Sequence, residues 1–173
     1  MATSSSQTPG KRPVLHIPYS RLEVILELVT GIGIAFALIL LFTNWLRIPN
    51  YIPDHFSATG IADSWGNKWS LLISPSVGIV LYIMMTFVSR FPHVFNYPWP
   101  ITEDNAQKQY QIGRITLISI KAEMVWIFAY VEWQSIQVST GKAMGLGKAF
   151  LPITILVIFG TIGVLIYKAY KER

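Results

Sequence analysis

Four stretches of this chain are too long and too apolar for the surface of a water-soluble domain, and they decide what the rest can be. Val24 to Leu46 is uncharged from Leu28 onward, and Trp69 to Ser89 carries no charge at all. Ala149 to Tyr167 is also uncharged, while Ile115 to Val138 has the length but holds Lys121, Glu123 and Glu132. Each meets the roughly 20 residues that a helix needs to cross a hydrocarbon core of about 30 Å. Composition agrees: 13% of residues are charged, against about 25% in soluble domains. The pattern predicts an all-α, four-helix transmembrane bundle over residues 21–173, with spans near 24–46, 69–89, 115–138 and 149–167. The Ser/Thr/Pro-rich stretch 1–20 reads as a disordered tail.

Lys and Arg are enriched in cytoplasmic segments, so their distribution sets orientation. With four spans, both tails and the middle loop share one side, which holds nine basic residues: Lys11, Arg12, Arg21, Arg90, Lys108, Arg114, Lys168, Lys171 and Arg173. Arg47, Lys68, Lys142 and Lys148 lie opposite. Both termini are therefore expected in the cytoplasm, and the loop from Arg47 to Lys68 outside. The net charge of +5 reflects this topology and not a nucleic-acid footprint, because the basic residues stand singly beside apolar runs. The absence of cysteine excludes disulfides, thiolate nucleophiles and cysteine-held metals. His16, His55 and His93 all lie outside the apolar runs, which argues against haem held between helices. No cofactor or metal is expected.

The first loop carries Pro53, Asp54, His55, Gly60, Asp63, Gly66 and Lys68. Proline and glycine at these positions predict a folded-back loop. One imidazole and two carboxylates match no defined metal motif; they either bind a ligand or pin the loop by hydrogen bonds, with Lys68 as a partner. In the second loop Thr102 can cap a helix whose first turn holds Glu103 and Asp104, with Asn105 in place of the usual capping-box Glu.

The pattern Pro53-x-His55-Phe56-x-x-x-Gly60-x-x-Asp63-x-x-x-x-Lys68 resembles a module of bacterial membrane proteins, domain of unknown function 1648. That module also forms the N-terminal part of the longer SdpI-like immunity proteins. Pro92-His93-Val94-Phe95-Asn96-Tyr97-Pro98, the Thr102–Asn105 segment, Lys121-x-Glu123, Tyr130-x-Glu132-Trp133 and Gly145-Leu146-Gly147 are similar to the downstream half of its short members. The resemblance runs from Ile48 to Pro152. It implies a multi-pass protein of the bacterial inner membrane without an established reaction.

Ionisable residues within hydrocarbon are costly and point to function. Lys121 and Glu132 are 11 residues apart, about 16 Å of helix rise, so they cannot pair with each other. Glu23 and Glu27 are candidate partners for Lys121, and His55 or Lys68 for Glu132. His55, Asp63, Lys68, Lys121, Glu123 and Glu132 then form either structural pairs or a polar cavity beneath the first loop. The leading functional expectation is a non-enzymatic protein that binds or senses a peptide or small molecule at its outer face. Proton-coupled or solute transport through span three, and an accessory role in a larger complex, are the alternatives. Expected partners are the lipid bilayer, such a ligand, and a membrane protein partner or second copy; nucleic acid is not expected.

Overall fold

A computed structural model describes residues 12–173. The expected tail falls outside the described residues up to Lys11. From Arg12 to Ser20 the backbone is neither helix nor strand, yet it is tied down: the Arg12 guanidinium donates to the carbonyls of His93 (3.2 Å) and Phe95 (2.5 Å).

Four helices follow, α1 (Arg21–Asn44), α2 (Ile73–Ser89), α3 (Glu103–Ser139) and α4 (Phe150–Lys171). By length and composition, α1, the Lys68–Ser89 segment containing α2, and α4 can each cross a membrane, and the chain is a membrane protein. Helix α3 is far longer than the expected 115–138: its 37 residues extend about 55 Å. It packs against α1, α2 and α4, and so forms the axis of the molecule.

Local chemistry fixes the helix starts. Ser20 caps α1, its hydroxyl accepting from the Glu23 amide while the Glu23 carboxylate accepts from the Ser20 amide. Thr102 and Asn105 make the same reciprocal pair at α3. Each box satisfies donors that a helix N-terminus otherwise leaves open. The run from Lys68 to Leu72 is a 3₁₀ turn capped by Asn67, which moves the start of α2 four residues beyond the expected Trp69.

The all-α expectation needs one correction. The first loop is an antiparallel β-hairpin of β1 (Tyr51–Phe56) and β2 (Ala62–Asn67), paired Tyr51 to Asn67 and Phe56 to Ala62, with the register shifting on either side of His55. Pro53, which normally argues against a strand, is tolerated because a two-stranded ribbon has a free edge. Ile52 is fully buried and joins Leu41, Ile48, Leu71 and Ile136 in a small core. The hairpin thus sits as a lid on the C-terminal half of α3.

Glycine holds the lid at one point. Gly60, in the hairpin turn with φ of 79°, passes its carbonyl to the Leu146 amide at 2.7 Å, and a Cβ on Gly145 would collide with that carbonyl. The Gly33–Ala37 face of α1 is pressed on α3. Both residues are buried, and a Cβ at Gly33 would stand 2.9 Å from Val125 Cγ1. Gly31, Gly160 and Gly163 have open space where a Cβ would go.

Candidate functional site

The polar side chains of α3 form layers along its length. Nearest its N-terminus, Gln109 is fully buried, accepts from the Trp99 indole (2.8 Å) and donates to the carbonyls of Ala169 and Glu172. This ties α4's C-terminal end to α3. One to two turns further, Arg114 forms a buried bidentate pair with Glu23 and donates to the carbonyls of Ile17 (2.8 Å) and Pro18 (2.9 Å). Its guanidinium also lies over the Tyr19 ring at 4.5 Å. Each nitrogen of the Arg114 guanidinium therefore has an acceptor, as burial of a charge requires. Arg114 belongs to the site although its place at the edge of an apolar run made it look like a topology marker.

About 10 Å further along the helix, Lys121 is fully buried. Its ammonium donates to both Glu27 oxygens (2.6 and 2.7 Å) and to Thr86 Oγ1 (2.8 Å), with the Tyr82 ring at 4.7 Å. Three donors meet three acceptors, so the group is saturated. Of the two candidate acids, Lys121 takes Glu27, and Glu23 goes to Arg114.

The remaining acids are less complete. Glu123 accepts from the Thr161 hydroxyl at one oxygen, and its other oxygen is buried without a partner among the described residues. Glu132 is 1% exposed, and neither of its oxygens has a partner among the described residues. The expected contact of Glu132 with His55 or Lys68 does not form, because the loop residues satisfy one another. His55 Nδ1 lies 2.5 Å from Asp63 Oδ1 across the hairpin, and Lys68 sits over the Trp45 ring at 5.0 Å. His55, Asp63 and Lys68 are thus a surface group, while Lys121, Glu123 and Glu132 occupy separate interior positions. The six do not line one cavity.

The outer surface of the hairpin is aromatic as well as polar. Tyr51 and Trp65 stack with centroids 6.0 Å apart and remain 65% and 41% exposed. Trp69 packs edge-on against Trp45 at 5.0 Å. Rings with one polar edge settle at a membrane's headgroup level or at a binding surface.

The second loop is a structural joint. Tyr97 donates to the Pro92 carbonyl (2.9 Å) under the Arg12 guanidinium, and burial pushes its phenol above the usual range, so it stays a donor. Asn96 and Pro98 are exposed beside it, and Glu103 is an exposed acid of the first turn of α3. Among the described residues no three His, Asp or Glu side chains converge as a metal site.

Residues 32–79 match the family model described as Domain of unknown function (DUF1648). The match takes in the second half of α1, the whole hairpin and the start of α2. No curated protein and no solved structure matches the chain.

Proposed function

We propose that this helix–hairpin–helix module makes the chain a non-enzymatic, four-span protein of the bacterial inner membrane, with both termini in the cytoplasm. In this reading the hairpin binds a peptide at the extracytoplasmic face, in the manner of the immunity proteins whose module it resembles. The observation that carries it is the hairpin's outer face. Tyr51 and Trp65 are stacked and exposed beside His55 and Asp63, whereas Arg114 and Lys121 are paired inside. Exposed aromatics next to a few polar groups are the usual anchors of peptide recognition. Both strands also keep a free edge to which an extended peptide can pair. Transport through span three would have to work without Lys121, which is locked to Glu27 and Thr86.

Complementation tests the reading. Cells lacking the chain should regain survival against secreted antibacterial peptides when the wild type is expressed. The Tyr51→Ala/Trp65→Ala variant should lose protection by at least roughly tenfold, the scale of a lost aromatic anchor, at unchanged membrane yield. Full protection by that variant sinks the proposal.

A further inference from the structure

Between α1, α3 and α4 runs a groove of about 690 Å³, with Val29, Trp126, Tyr130, Phe150 and Val157 among its walls and Glu123 at its inner end. Its size is that of a small-molecule site. The aromatic walls have no spare polar groups: the Trp126 indole donates to the Val29 carbonyl (3.1 Å), and the Tyr130 hydroxyl donates to the Leu146 carbonyl (2.9 Å) and accepts from Gln134. Glu123 is the exception, since one oxygen holds Thr161 and the other is buried and unpartnered.

A carboxylate at this depth needs a counter-charge or a proton. Lys121 is committed to Glu27. Lys148 is exposed at the far mouth of the groove, before α4 begins, whereas Thr161 lies 11 residues beyond Phe150. That places the carboxylate about 16 Å further in. An inorganic cation does not fit, because one carboxylate and one hydroxyl among hydrocarbon walls cannot replace its hydration shell of six or more oxygens. A neutral lipid tail fills the walls but leaves the oxygen unpaired. Aromatic rings beside a single acid are the surroundings that favour an organic cation.

We propose that this groove binds a lipophilic monovalent organic cation, with its charge beside the Glu123 carboxylate and its apolar substituents along Trp126, Tyr130 and Phe150. The site is separate from the hairpin face and stands or falls independently of it.

Equilibrium binding of radiolabelled tetraphenylphosphonium to the purified full chain in detergent tests the assignment. One saturable site per chain is expected, weakened at least about tenfold by Glu123→Gln and retained in Glu123→Asp and Glu132→Gln. On the wild type, tetraphenylphosphonium should protect Glu123 from modification by dicyclohexylcarbodiimide, a readout that needs no variant to fold. Absence of saturable binding, unchanged binding in Glu123→Gln, loss in Glu132→Gln, or unprotected Glu123 would each overturn it.

Discussion

At the scale of single residues, the buried ionisable groups divide into those that hold the bundle and one that does not. Arg114 and Lys121 each hold an acid of α1, and removing either takes away that acid's charged partner. Breaking a buried pair in this way costs about 3–5 kcal/mol. Lys121→Met should therefore lower the thermal midpoint in detergent by roughly 10 °C, using about 3 °C per kcal/mol for a chain of this size. Glu132 has no partner to lose, so Glu132→Leu, which removes a buried unpaired polar group, should raise the midpoint by a few degrees. If Glu132→Leu falls as far as Lys121→Met, Glu132 belongs to a pair after all. The sequence made Lys121 legible because Glu27 enters α1 from the same end at a matching depth. Arg114 was less visible, yet a signal existed: a helix capped at Thr102 places Arg114 twelve residues inside it, too deep for an end marker. That His55 and Lys68 leave Glu132 unpaired could not be read, since side chains of the hairpin choose partners by a register that spacing alone does not reveal.

At the scale of elements, the apolar runs foretold the helices well, because a membrane leaves the backbone of such a run few alternatives to the helix. The hairpin was hidden by Pro53, Gly60 and Gly66, residues that normally argue against strands. What fixes it is tertiary: Ile52 is buried with Ile136 of α3, and the Gly60 carbonyl meets the Leu146 amide where Gly145 leaves room. Gly145→Val should therefore unseat the lid without unwinding the helices. Limited proteolysis should cut the 57–61 turn several-fold faster while far-ultraviolet circular dichroism stays unchanged. Equal cleavage rates would mean that the Ile52 core alone holds the hairpin.

At the scale of the whole molecule, α3 is an axis with its charges paired toward one end and a hairpin closing the other. The N-terminal end of α1 meets the N-terminal half of α3 through Glu23 and Arg114, and the C-terminal ends of α2 and α4 lie toward the same side through Ser89 and Ala169. The helices therefore alternate in direction, and the hairpin lies opposite the loop around Asn96. The proposed function depends on which of these two ends faces out of the cell. A chain without cysteine makes the decisive measurement clean: label Ala58→Cys and Asn96→Cys, both exposed positions, with a membrane-impermeant maleimide in intact cells. Labelling of Ala58→Cys in intact cells, with Asn96→Cys silent until lysis, is the expected result. The reverse pattern would put the hairpin in the cytoplasm and contradict a receptor for secreted peptides.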